Sequence, residues 1–382
     1  MTETPAPVSR PSLASAAVVL AGLTVAAVGL HFAASIVAPA FFAFTLVVSA
    51  RPLQRMLVRW RVPRMLAAIL VLLSLYVLLT VLLLATVSSL TQAAFELPKY
   101  AADMRQIYLD GVQWLETLGV DNAALVQLAG SIDLNRVAQL LGAVVEGTTA
   151  AGGQVLIILV VMFFLAIDST SVRSRWALIR ASHPELAASM LHFFAGVRKY
   201  WVVATVFGLI VAVLDVIALL IIGVPLVFVW GVLAFVTNYI PNVGFVLGLI
   251  PPALIALLDG GVTDMIWVIV AYTVLNFTVQ TIIQPKVTGD AVGLSPAVSF
   301  LSLTFWTLVV GPLGAILAVP LSLAAKAALV DAHPSARWIN AFLVTDSEAK
   351  KARHTLTGKH PRASIRTPRP PGRSTRTGAK ST

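Results

Sequence analysis

Asp215 is an acid inside apolar sequence, with Val211 to Leu214 before it and Val216 to Leu220 after it. A charge at the centre of a membrane helix costs about 2.5–3.5 kcal/mol on insertion scales, so such a carboxyl must face the protein interior and be paired or protonated. That makes it a candidate carrier of a proton or cation, the structural alternative being a protonated Asp bonded to a neighbouring helix. Asn276, Gln280 and Gln284 recur every four residues, with Thr273 three before the first, so they share one face of a helix that otherwise suits lipid. Amides donate and accept hydrogen bonds without carrying charge, which fits a polar neutral cargo or a partly dehydrated cation. Interhelical bonding, worth about 0.6 kcal/mol per bond, explains the same ridge without any ligand. Asn238 and Asn242 flank Pro241, with Gly244 following. Proline removes a backbone donor and leaves the carbonyl four residues earlier without its usual partner. Unwound carbonyls and amide oxygens together can coordinate a cation or bond a polyol, although a packing kink would use the same residues.

The elements that hold these groups lie mostly between Leu226 and Leu329, where apolar blocks are interrupted by Pro241-Asn242-Val243-Gly244, Pro251-Pro252, Gln284-Pro285 and Gly311-Pro312. Backbone groups in hydrocarbon must bond within the protein, so helix breakers at that depth are expected only where they are buried or line a wet cavity. Of the 382 residues 58% are hydrophobic and 12% charged, against about 25% charged in soluble domains. Several apolar blocks reach the roughly 20 residues that cross a bilayer. The expected fold is all-α, a polytopic integral membrane protein of about eight transmembrane helices, broken or re-entrant in the C-terminal half. Leu226 to Leu258 and Pro296 to Leu329 are each read as one bent span or a hairpin of two arms, and a cytoplasmic C-terminus requires the same choice for both.

In chain order, residues 1–11 form a short N-terminus and 12–343 a membrane domain, beginning with two short spans joined near His31 to Ser35. Arg51, Arg55, Arg59, Arg61 and Arg64 place the next loop in the cytoplasm by the positive-inside rule. Met65 to Thr86 is an uninterrupted span, and 88–149 reads as an external amphipathic segment. Residues 168–200 carry Arg173, Arg175, Arg180, Arg198 and Lys199 and read as a cytoplasmic loop, with Tyr200 and Trp201 in the interfacial aromatic belt. Lys326 reads as a snorkelling anchor. Residues 344–382 form a basic, disordered cytoplasmic tail; Asp346 to Thr382 has ten Lys or Arg against two acids and so supplies +8 of the net +10. The basic balance therefore points to the anionic cytoplasmic leaflet and not to nucleic acid. The chain has no cysteine. No P-loop, His/Cys metal spacing or nucleophile elbow occurs in a fitting context, so neither catalytic residues, nor a metal site, nor a cofactor is expected, and the chain does not read as an enzyme.

Phe163 to Asp168, Gly223-Val224-Pro225, Asn238 to Gly244, Ile250-Pro251, Gln280 to Pro285 and Gly311 to Leu321, in this order and spacing, resemble the autoinducer-2 exporter (AI-2E) family of bacterial inner-membrane permeases. The resemblance covers most of Ser12 to Leu329, with Asn242 where the family usually has an aromatic residue and Phe245 where it usually has proline. It implies a multispanning permease or exporter in the cytoplasmic (inner) membrane, with autoinducer-2 as cargo for some members and sodium/proton exchange for others. It also implies a homo-oligomer, a pentamer being one such assembly. The substrate pathway expected from the residues is Asp215, Asn238, Pro241, Asn242, Gly244, Asn276, Gln280 and Gln284, serving a small polar solute or a cation. A reading from another class is a non-transporting membrane scaffold that acts through its basic tail. Deleting Asp346 to Thr382 separates the classes: a transporter keeps most of its flux in reconstituted vesicles, whereas a scaffold loses its cellular phenotype.

Overall fold

The computed structural model describes residues 13–100, 153–168, 172–241, 243–288, 295–332 and 339–343, with 106, 109, 113, 117 and 336 singly. Among them there is no strand. Three helices open the chain: α1 (Leu13–Phe32), α2 (Ala34–Arg59) and α3 (Arg64–Glu96), the last followed by a 3₁₀ turn at Leu97–Tyr100. Next come α4 (Gly153–Asp168), α5 (Val172–Ser182), α6 (Pro184–Ile222), α7 (Val227–Thr237), α8 (Gly244–Gly260) and α9 (Val262–Asn276). A π-helical stretch, Phe277–Ile283, joins α9 to α10 (Gln284–Thr288). Then follow α11 (Pro296–Val310), α12 (Pro312–Lys326), a second π stretch at Ala327–Asp331, and α13 (Asn340–Leu343).

Five helical stretches among the described residues are long and apolar enough to cross a membrane, and five shorter apolar helices accompany them. Apolar residues also cover much of the outside, as on α3, where Met65, Leu66, Leu73, Val77, Val81 and Leu84 are exposed. Such a surface is stable only against lipid or another apolar partner. The protein is an all-α polytopic membrane protein. The N-terminal residues 1–11, nearly all of the amphipathic segment beyond Tyr100, and the basic tail lie outside the described residues.

The spine is α6. Its 39 residues correspond to about 58 Å at 1.5 Å per residue, well beyond the roughly 30 Å of hydrocarbon. It packs against α2, α5, α7, α9, α12 and the second π stretch. Within the basic segment at 168–200, residues 172–182 and 184–200 are helical, α6 already starting at Pro184 behind α5. Tyr200 and Trp201 sit in the packed core, only 6% and 7% exposed, with Phe193, Tyr239 and Leu317. The Tyr200 hydroxyl lies 2.8 Å from the Tyr239 carbonyl and 3.0 Å from that of Ile316, so it fastens α6 to two other elements. Charge had suggested where the helix leaves the membrane; the aromatic pair shows that its packed part begins earlier.

Both ambiguous stretches are hairpins. α7 and α8 pack on each other across the turn at 238–243, and α11 and α12 do so across Gly311. Ser295 starts α11 by accepting a bond from Val298 N–H at 3.3 Å, with Pro296 at the first helical position, where a missing N–H costs nothing. His31 Nδ1 lies 3.0 Å from the Val309 carbonyl, tying α1 to the end of α11. Lys326 is an ion-pair partner and not a free anchor: its Nζ lies 2.8 Å from Asp331, which also accepts from Asn340 at 2.9 Å.

The α7–α8 hairpin closes so tightly that a Cβ on Gly244 would stand 1.9 Å from the Thr237 carbonyl oxygen. Gly244→Ala must shift backbone, at a cost of about 1–3 kcal/mol. Thermal unfolding in detergent should show a lower midpoint for this variant, whereas Gly22→Ala, with nothing within 4 Å of its added Cβ, should leave the midpoint unchanged or raise it slightly.

Candidate functional site

Three elements bring the polar residues together in the interior. α6 contributes Gly208 and Asp215, the end of α7 contributes Asn238, and α9 with its π extension contributes Tyr272, Asn276 and Gln280. Val279 seats the π stretch against Val203, Phe207 and Val211 of α6. A π turn widens the helix and re-aims its side chains, and such turns recur at functional sites. Here it carries Gln280, whose Nε2 donates to Asn238 Oδ1 at 2.9 Å and to Asn276 Oδ1 at 2.8 Å. Asn276 Nδ2 in turn donates to the Tyr272 carbonyl at 2.8 Å. One amide chain thus links two helices. Gly208 leaves room for it: a Cβ there would fall 2.7 Å from Asn238 Nδ2.

The turn after Asn238 is held by α6 from two sides, by Tyr200 on the Tyr239 carbonyl and by Thr205, whose hydroxyl lies 2.9 Å from the Tyr239 hydroxyl. Its backbone is less open than the proline had suggested. The Thr237 carbonyl accepts from Ile240 N–H at 2.8 Å, the Ile240 carbonyl from Gly244 N–H at 3.0 Å, and the Pro241 carbonyl from Val243 N–H at 2.8 Å. A tight turn has taken over the bond that Pro241 removed, so these three carbonyls are already engaged. The site's polar character comes from side chains.

Asp215 is the exception to this internal pairing. It is 1% exposed, and neither carboxyl oxygen has a hydrogen-bond partner. The hydroxyl of Tyr272, also 1% exposed, is likewise unpartnered and lies within electrostatic reach of Asp215. Buried polar atoms are nearly always satisfied, so these unpartnered ones call for an explanation. A buried acid can carry a proton or offer its oxygens to a cation.

Of the residues expected from the sequence, Asn238, Asn276 and Gln280 meet directly. Asp215 lies within electrostatic reach of Tyr272, which stands one helical turn before Asn276. Pro241 and Gly244 shape the hairpin turn and present no side-chain chemistry. Gln284 is half-buried past the π stretch, its N–H on the Val279 carbonyl, and Asn242 lies outside the described residues. Tyr272 was missed, although it stands four residues before Asn276 and so on the same ridge; the hydroxyl of Thr273 had drawn attention instead. Two cavities, of about 500 and 410 Å³, are lined by other residues.

A polytopic helical protein with broken hairpins and a polar chain buried among apolar helices has the build of a membrane transporter. Residues 18–332 match the sequence profile described as AI-2E family transporter. The chain is 34% identical over 317 residues to the AI-2 transport protein TqsA of Escherichia coli (strain K12), covering 82% of this chain and 90% of that relative. It is 29% identical over 310 residues to the putative transport protein YhhT of the same strain, covering 80% and 88%. A putative transport protein of Haemophilus influenzae is 28% identical over 338 residues, covering 86% and 95%. The chain belongs to the AI-2E transporter family and is a membrane transporter.

Gln280→Leu removes both bonds to the asparagine oxygens and leaves those acceptors unpaired, at a cost of about 1–3 kcal/mol. Denaturant unfolding in detergent should show that loss, and the Asn238→Leu/Gln280→Leu double variant should recover part of it, because both partners of one bond are then gone.

Proposed function

We propose that this transporter moves a small polar solute between α6, α7 and α9, with the Asn238–Gln280–Asn276 chain contacting the cargo and Asp215 setting the energetics of the step. The observation that carries this reading is the buried, unpartnered Asp215 carboxyl and Tyr272 hydroxyl on the two helices, α6 and α9, that pack around the chain of amides. A structural role would have paired the acid, because an unsatisfied charge in an apolar bundle is costly. The amides suit a neutral, hydroxyl-rich solute, and an autoinducer-2-like cargo follows from what the most similar relative named above is called. The charge distribution supports a cytoplasmic (inner) membrane location with both termini in the cytoplasm, and the apolar exterior supports assembly with further copies of the chain, a pentamer included.

The same carboxyl favours a second reading, exchange of sodium for protons, since a buried acid can alternate between a proton and a cation. Asp215→Asn tests both. In proteoliposomes the variant should lose about tenfold or more of its flux, while thermal stability in detergent stays equal or rises, because a buried acid worth about 2.5–3.5 kcal/mol of insertion cost has been neutralised. A fall in stability with flux retained would return Asp215 to a packing role. Flux that follows the sodium and pH gradients in the unaltered protein, and no longer does so in Asp215→Asn, would select exchange over solute export.

A further inference from the structure

The C-terminal half of α2 carries Arg51, Gln54, Arg55, Val58 and Arg59 at spacings of three and four, so they share one face. That face, with Arg64 at the start of α3, lines a cavity of about 500 Å³. The opposite wall is Val172 and Trp176 of α5 and Leu191 and Phe194 of α6. Trp176 and Phe194 stand 6.1 Å apart, ring centre to ring centre. Orienting the chain in the membrane needs basic residues near this position but not their convergence on one cavity.

No carboxylate lies within salt-bridge distance of Arg51, Arg55, Arg59 or Arg64 among the described residues, and Asp168 at the end of α4 is paired with Arg175 at 3.0 Å. Arg55 and Arg198 both lie within electrostatic reach of Arg51. Arg55, Arg59 and Arg64 are exposed and Arg51 is half-buried, so their donors are open to a ligand, and guanidinium forks match phosphate oxygens two at a time. The volume falls within the roughly 300–1,000 Å³ of ligand sites.

We propose that this cavity is a binding site for a phosphate-bearing anion, the headgroup of an anionic phospholipid. Free phosphate shares the chemistry, but it has no use for the half of the lining made of Val58, Val172, Trp176, Leu191 and Phe194. A lipid places its phosphate on the arginines and its glycerol and first methylenes on that apolar wall. The position fits, because α2 changes here from its apolar stretch, Ala34 to Val48, to its basic turns, as a helix does on leaving hydrocarbon.

The test is titration of delipidated full-length protein in detergent with dioleoylphosphatidylglycerol, dioleoylphosphatidylcholine or inorganic phosphate, with bound molecules counted by native mass spectrometry. The unaltered protein should retain phosphatidylglycerol over phosphatidylcholine by about tenfold, as charge-assisted bidentate contacts allow. Arg55→Lys/Arg59→Lys keeps the charges that orient the chain but loses the forks, and should cut that preference several-fold. Val172→Glu places a carboxylate among the arginines and should abolish it; size-exclusion profiles identify any variant that fails to fold, and the other then decides. Equal retention of the two lipids together with saturable phosphate binding sensitive to both substitutions would overturn the lipid assignment in favour of a soluble anion. Indifference of every probe to both substitutions would overturn the site.

Discussion

Hydrocarbon offers no hydrogen-bond partner, and most of this architecture follows from that constraint. Each polar group within the bundle must be paired by the protein itself or left at a cost of several kcal/mol. The hairpin turn at 238–243 meets the demand with its own backbone and with two side chains from α6, Tyr200 and Thr205. Trp306 meets it by donating to Ser322 at 2.9 Å, and Tyr76 by donating to the Leu159 carbonyl across α3 and α4. Against that background Asp215 and the Tyr272 hydroxyl stand out: like the Trp201 indole and Arg198 Nε they are buried without a partner, and of these groups only Asp215 is an acid within an apolar helix.

The long helix α6 converts this local chemistry into a possible transport step. Its C-terminal part holds Asp215 against α9, its middle holds Gly208 against Asn238 and seats the π stretch through Val279, and its N-terminal part forms one wall of the arginine cavity. A displacement of α6 relative to α7 and α9 would therefore act on the acid, the amide chain and the basic cavity together. Gly208, where an added Cβ would fall 2.7 Å from Asn238 Nδ2, and Val279 of the π stretch, packed on Val203, Phe207 and Val211, are close contacts that such a displacement would have to break.

Much of the site was legible in the sequence because its signals are periodic or expensive. Four-residue spacing put Asn276 and Gln280 on one face, and an acid in an apolar helix is rare enough to single out Asp215. Asn238 was legible through Pro241 and Gly244, which mark a turn wherever they fall. Pairing across elements was not legible: nothing local says that Gln280 bridges Asn238 to Asn276, or that a π turn arranges it. The thiolate-free composition and helical class followed from residue counts, whereas the membership of Tyr200 and Trp201 in the core did not, since aromatic residues after basic ones look the same in an interfacial belt and in a packed helix. The expectation of a free carbonyl four residues before Pro241 failed at Thr237, because a proline removes one bond without preventing a tighter turn, here from Ile240 N–H, from replacing it.

The central claim is that the buried polar chain becomes wet during transport. The natural absence of cysteine allows a direct measurement: single cysteines at Asn276 and at Val268, about two turns away in the core of α9, reconstituted in vesicles and exposed to a membrane-impermeant thiol reagent from each side with and without a cargo gradient. The account predicts that position 276 is modified, at a rate that changes with the gradient, while position 268 stays protected. Protection of both positions from both sides under every gradient, in a variant that still transports, would contradict it.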